Sequence, residues 1–252
     1  MNQDNSFYTE VKPYNQSDNK TKQLISLFDS ISDEYDNFNQ FASFGLAKHW
    51  RRLSVEMLKR FRSGKILDIA CGTAEMCILM AEKLKPDAIT GIDVSSEMLR
   101  VGRQKIKEKG LSRLIQLQAG DSSAMNYPSE SFDIVTVAFG IRNFEKLTDS
   151  IQEMNRVLKS DGVLLIVEVN EPERKMMKLL YKMYMNFIIS MAVFLYGQDR
   201  KSFKYLTNSM AAFPSRKKLV GILEKHQFKL MKIKNFSFDV CTAYLMHKVK
   251  HQ

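Results

Sequence analysis

Two acids 25 residues apart, Asp68 and Asp93, stand at the carboxyl ends of two apolar runs, and the small-residue stretch Ala70-Cys71-Gly72-Thr73 follows the first. An acid ending the second of two such runs accepts hydrogen bonds from a ribose diol, and that is the chemistry read at Asp93. Small residues let a chain turn sharply and let a ligand approach its backbone. The loop has one glycine, Gly72, so it is not the dinucleotide pattern G-x-G-x-x-G and offers no cradle of N–H groups for a pyrophosphate. Asp68 and Glu75 add negative charge beside it, which suits a cation. A nucleoside with a positive centre in place of phosphates fits this loop, and S-adenosylmethionine is the common one.

Further along, Gly120-Asp121-Ser122 ends a third apolar run. There Asp121 can accept from an adenine amino group, and the Ser122 backbone N–H can donate to a ring nitrogen. A fourth run opens into Gly140-Ile141-Arg142-Asn143, which puts Arg142 at the mouth of a site built on strand ends. His49, His226, His247 and His251 are scattered, and Cys71, Cys77 and Cys241 show no C-x-x-C spacing, so neither a metal site nor a disulfide framework is expected. No G-x-S-x-G nucleophile motif is present.

These residues need a scaffold that brings strand ends together. Residues 65–69 and 88–93 alternate or are β-branched as buried strands do, and Met76 to Leu84 has apolar residues at helical spacing. Further strands are predicted over 114–119, 132–139 and 163–168, with a turn at Asp161-Gly162, and helices over 96–109, capped by Ser95, and 146–159. Residues 229–235 and 240–248 read as a closing hairpin. The expected fold is α/β: a Rossmann-like doubly wound sheet of seven mostly parallel strands with a C-terminal antiparallel hairpin and helices on both faces. Before the sheet, helices are predicted over 24–35 and 46–61, separated by a break at the Asx-rich Asp36-Asn37-Phe38-Asn39.

At 252 residues and 44% apolar content, the chain can bury one full core. Residues 1–23 are polar and read as a disordered tail, and 24–252 as one domain. Nothing resembles a signal peptide, which with the cysteine usage points to the cytoplasm. The net charge of +10 is uneven: residues 171–252 hold 16 Lys+Arg against 5 Asp+Glu. An anionic membrane, nucleic acid or plain solvation would each suit that excess. Met176 to Tyr196 is the most apolar stretch, but its uncharged part from Met183 is 14 residues, short of the roughly 20 that span a bilayer. It reads as a core helix, or as the wall of a greasy pocket.

From about Leu24 onward the chain resembles the quinone-biosynthesis C-methyltransferases. The likeness rests on Phe28 to Asn39 with Ser43, Gly45 and Trp50-Arg51-Arg52, on Phe139-Gly-Ile-Arg-Asn143, and on Tyr205-Leu206, Ser209 and Phe213-Pro214, beside the commoner loop Leu67 to Thr73. One departure is Ala74, where the family usually has glycine. The resemblance implies methyl transfer from S-adenosylmethionine to a ring carbon of a polyprenyl quinol, demethylmenaquinol first and the benzoquinol precursor of ubiquinone as the alternative. It implies donor contacts at Thr73, Asp93, Asp121 and Ser122, with Asp68 and Gly72 in the same loop region. It further implies Arg142 as the positive group at the developing phenolate, Asn143 orienting, and Tyr35 as hydrogen-bond partner. Residues 176–214 become a substrate lid, and the basic third a face for the inner surface of an anionic membrane. Homodimerisation stays open. An RNA-binding or RNA-modifying protein is the rival of a different class, disfavoured because Tyr181, Tyr184, Phe187, Phe194 and Tyr196 lie in an apolar run rather than among basic residues.

Overall fold

The computed structural model describes residues 11–249 apart from 16, 173 and 197–199; residues 1–10 of the predicted tail lie outside that range. Seven strands form one sheet: β1 (Lys65–Ile69), β2 (Ala88–Asp93), β3 (Ile115–Ala119), β4 (Phe132–Ala138), β5 (Leu158–Val169), β6 (Phe228–Phe236) and β7 (Cys241–Lys248), in the order β3-β2-β1-β4-β5-β7-β6. β1 to β5 pair in parallel and β7 runs antiparallel between β5 and β6. This is the expected fold class. The chain order reverses between β1 and β4, so the crevice beyond their carboxyl ends is the switch point where such sheets take ligands.

The central strands are apolar on both faces because helices cover both. On one face Ile66, Ile134 and Leu165 pack with Trp50 and Val55 of α3 (Leu46–Val55) and with α4 (Glu75–Leu84) and α5 (Ser96–Glu108). On the other, Leu67, Val135 and Ile166 pack with α6 (Leu147–Val157) and α9 (Arg216–Lys225). The predicted cap Ser95 accepts from the N–H group of Met98, and Ser215 caps α9 by accepting from Lys218 N.

Several boundaries differ from the sequence reading; the helix predicted over 46–61, for one, ends at Val55 and gives way to a 3₁₀ turn over Glu56–Leu58. Helix α1 is Lys20–Ile31, starting ahead of its apolar stripe because the Asn19 side chain accepts from Lys22 N. The predicted break at Asp36–Asn39 is instead inside α2 (Tyr35–Ala42). Asx residues break helices by bonding to their own backbone, but Asp36 binds Lys105 and Thr73, and an acid in a first turn favours the helix. The predicted turn at Asp161-Gly162 is a bulge within β5: Leu158 pairs with Phe132, and Val163 with Ile134. The remaining helices are α7 (Lys175–Tyr196) and α8 (Arg200–Ala212).

Candidate active site

The loop after β1 is built around left-handed backbone: Ala70, Gly72 and Ala74 have φ of +54°, +52° and +64°. A side chain in that region costs roughly 1–2 kcal/mol, and Ala74 bears it fully buried. The turn brings Gly72 N–H within 2.9 Å of Asp93 Oδ2, while Asp93 Oδ1 accepts from Ser95 N at 2.9 Å. Burial raises the Asp93 carboxyl above its ordinary range, against the pull of these two N–H groups. The first loop and the second strand end are thereby tied together.

Beyond them lies a cavity of about 320 Å³ lined by Gly72, Asp93, Asp121, Ser122, Asn143 and Tyr35, among others. Leu24 and Phe28 of α1 line it as well. Helix α1 is pinned at both ends: Thr21 donates to Glu145 through its backbone and hydroxyl, and Asp29 accepts from Ser95 Oγ at 2.6 Å. A small extension of about 30 Å³ continues past Gly72, sharing Tyr35 and Ala70 with the larger space and adding Asp68, Thr73, Glu75 and Arg51. Thr73 and Asp68 thus belong to the extension rather than to the main cavity. The Thr73 hydroxyl donates to Asp36 at 2.7 Å, beside an ion cluster in which Lys105 joins Asp36 and Glu75. Asp68 is buried, accepts from Thr136 Oγ1 at 2.6 Å and from Cys77 Sγ at 3.2 Å, and burial pushes its pKa up to about 6.

A second cavity of about 390 Å³ is mostly apolar, with Trp50, Phe44, Tyr181, Tyr184 and Met185 among its walls and Arg142 as one of its few charges. Tyr35 and Phe139 line both cavities. Phe139 is held there at φ +62°, with the Arg51 guanidinium 4.8 Å from its ring centre. Arg142 and Asn143 follow in a short 3₁₀ turn, Ile141–Asn143. Arg142 is buried, donates from Nη1 to Glu168 at 2.5 Å and to Phe139 O at 2.8 Å, and its Nε has no protein partner. Burial opposes its charge, yet Glu168 holds its pKa above the usual value. Asn143 accepts from the Tyr205 hydroxyl at 2.9 Å.

A cavity at the switch point that carries the acids Asp93 and Asp121 and a mostly apolar cavity therefore share a wall, with Asn143 on the first side of it and Arg142 on the second. Comparison with known proteins identifies the scaffold. The model of the ubiE/COQ5 methyltransferase family matches residues 16–248. The chain belongs to that family. Among its ubiE/COQ5 relatives, the demethylmenaquinone methyltransferase of Bacteroides fragilis is 36% identical over 239 residues, spanning 95% of this chain and 98% of its own. The Geotalea uraniireducens ubiquinone/menaquinone biosynthesis C-methyltransferase UbiE is 32% identical over 230 residues, with 91% and 97% covered. In fold the chain is similar to the [4+2]-cyclase SpnF, with a TM-score of 0.68 at 16% identity over 91% of this chain and 96% of that one. It is also similar to a SAM-dependent methyltransferase from Aquifex aeolicus, with a TM-score of 0.57 at 15% identity over 78% and 88%.

S-adenosylmethionine is the cofactor of this family member, and the residues present fit it. The main cavity carries the carboxylates of Asp93 and Asp121 beside Ser122, and the extension adds those of Asp68 and Glu75, a donor set that suits hydroxyls, an amine and a cationic sulfur better than phosphates. Among the described residues no group of His, Cys, Asp and Glu has the arrangement of a metal site. Sequence reasoning gave no role to Glu168, Tyr205, Asp36 or Lys105. For Glu168 a signal existed, since it is a charged residue at the carboxyl end of an otherwise apolar strand. Asp36 and Tyr205 lie in segments that carry the family resemblance, but their partners, like that of Lys105, are distant in sequence, and no local pattern gives them.

Proposed function

We propose that the protein transfers a methyl group from S-adenosylmethionine to a ring carbon of demethylmenaquinol. The observation that carries this is the shared wall: a cavity bearing Asp93, Asp121 and Ser122 and an apolar, aromatic-lined cavity meet at Tyr35 and Phe139. Asp93 holds the donor's ribose, Asp121 and the Ser122 N–H its adenine, and Asp68, Gly72 and Thr73 border the end past the loop. Bound there, the donor supplies an electrophilic methyl group on a cationic sulfur that leaves neutral.

Ring carbon is a weak nucleophile until the neighbouring hydroxyl loses its proton. Arg142 stabilises the oxyanion that results, directly or through water; such electrostatic help is worth about 10²–10³-fold in rate. Asn143, whose carbonyl is engaged by Tyr205, has N–H groups to offer in orienting the ring, and Tyr35 hydrogen-bonds at the junction. Holding donor and acceptor in line supplies up to roughly 7–11 kcal/mol more.

The polyprenyl tail leaves along α7, which is the lid. Met176, Leu179, Leu180, Met183 and Phe187 form an exposed apolar stripe at helical spacing, with Arg174, Lys175 and Lys182 exposed nearby. That pattern suits peripheral contact with an anionic bilayer, each basic residue near it contributing about 1 kcal/mol. Among the described residues no helix is long and apolar enough to cross a membrane. The aromatics Tyr181 and Tyr184 face the apolar cavity, which supports a quinol over RNA.

The test is a methylation assay with purified protein, labelled donor, and short-tailed demethylmenaquinol and benzoquinol acceptors. Label should enter the naphthoquinol ring; label confined to the benzoquinol, or to RNA, would reassign the substrate. Vesicle flotation with and without anionic lipid tests the docking face, and equal partitioning would remove the electrostatic part.

A further inference from the structure

Resting on the role of Arg142 given above, we infer that Glu168 is a positioning residue: it fixes the Arg142 guanidinium in one orientation and sets the positive potential that the acceptor oxygen meets. Glu168 is the penultimate residue of β5 and is fully buried. Both of its oxygens are committed. Oε1 accepts from Arg142 Nη1 at 2.5 Å and from Val169 N at 2.9 Å, and Oε2 from Arg142 N at 3.3 Å. It therefore grips backbone and side chain of the same residue, so the 3₁₀ turn and the guanidinium cannot move independently. Phe139 O takes a further Nη1 contact, which leaves Nε as the buried donor without a protein acceptor, on a residue that lines the apolar cavity.

Stability gives little reason for this pair. Buried ion pairs are commonly no better than apolar residues of equal volume, because desolvation offsets the attraction. A charge held at the end of β5, next to the switch point and behind Arg142 of the apolar cavity, instead serves electrostatics there. Around the pair, Tyr35 of α2, Tyr181 of α7, Tyr205 of α8, and Tyr244 and Cys241 of β7 feel its charges, and burial keeps the last four neutral near pH 7. Lys20 of α1 is a further cation whose charge is felt with that of Arg142. Glu168 is the carboxylate hydrogen-bonded to Arg142, and so the counter-charge that moderates it.

Two variants separate orientation from charge. Glu168→Gln keeps the shape and an acceptor oxygen but removes the charge; Glu168→Asp keeps the charge but draws it back by one methylene. For Glu168→Gln, the rising limb of the pH–rate profile, followed between about pH 6 and 9, should move to lower pH, because an unmoderated cation favours the acceptor oxyanion. For Glu168→Asp the limb should stay while kcat falls at least about tenfold, less than the 10²–10³-fold for losing a stabilising donor outright. Donor affinity by calorimetry should be unchanged in both. Wild-type kcat and limb in both variants would overturn the inference, as would a kcat loss matched by an equal loss of donor affinity, which is what mere structural damage gives. If Glu168→Gln fails to fold, the kcat and donor affinity of Glu168→Asp decide alone. Arg142→Ala tells the two claims apart: if it keeps full turnover, the Arg142 role itself falls, whereas if it is inactive while the Glu168 variants behave as wild type, only the inference about Glu168 falls.

Discussion

Tyr205 donates its hydroxyl to Asn143 at 2.9 Å while its ring packs with Leu24 and Leu27. One side chain of α8 thus touches α1, which lines the switch-point cavity, and the turn that carries Arg142. That helix and that turn are mechanically joined. Tyr205→Phe should keep the packing and remove the hydrogen bond, leaving a buried amide oxygen short of a donor at a cost of about 1–3 kcal/mol. Lower kcat and a lower urea midpoint together are expected. Unchanged kcat at reduced stability would show that the bond only holds the fold.

Asp93 is expected to govern donor affinity. Its two oxygens already organise Gly72 and the start of α5, so Asp93→Ala removes a ligand acceptor and releases the loop. Hydrogen bonds to a charged group are worth about 1.5–3 kcal/mol, which is roughly a 10- to 150-fold weaker Kd. Calorimetric titration with S-adenosylmethionine checks it. Binding within twofold of wild type would mean that the ribose lies elsewhere.

Gly140 has no room for a side chain. A Cβ there would stand 2.5 Å from Ala70 Cβ, so Gly140→Ala must push apart the two loops that flank the switch point. Overpacking of this kind costs about 1–3 kcal/mol. Thermal unfolding should show the loss, and added donor should recover less of it than in wild type, since the same loops line the cavity. Full recovery by donor would argue that the loops reseat without strain.

Asp68 makes stability depend on pH in an unusual direction. Its carboxyl rises from 3.8 to about 6 in the fold, so between those values the folded chain keeps a proton that the unfolded chain has lost. Stability from this group is full below pH 4, falls as pH rises to about 6, and is level above that, a change on the order of 3 kcal/mol at 1.36 kcal/mol per unit. Asp68→Asn removes the titration. Its urea midpoint relative to wild type should therefore climb from pH 4 to pH 7; parallel pH dependences in the two proteins would refute the assignment.

The central strands β1, β4 and β5 were legible in the sequence because they are buried on both faces, and burial leaves a continuous apolar signature bounded by polar turns. Asp93, Asp121, Ser122 and Arg142 could be placed because each ends or closely follows a strand. The helix over Asp36 was not legible: Asx residues near Tyr35 favour a local turn until Lys105, 69 residues away, draws the carboxylate outward. Nor could spacing show that Thr73 faces Asp36 and borders a side extension, or that Arg142 is gripped by Glu168.

By itself, then, the sequence determined the order of strands and helices and which residues stand at strand ends, since both follow from periodicity and local capping. Only the tertiary structure decided which charges meet, that α1 lines the switch-point cavity and that Tyr35 and Phe139 divide it from an apolar neighbour. Those relationships join segments far apart in the chain, and their energies come from burial and from partners that no local pattern contains.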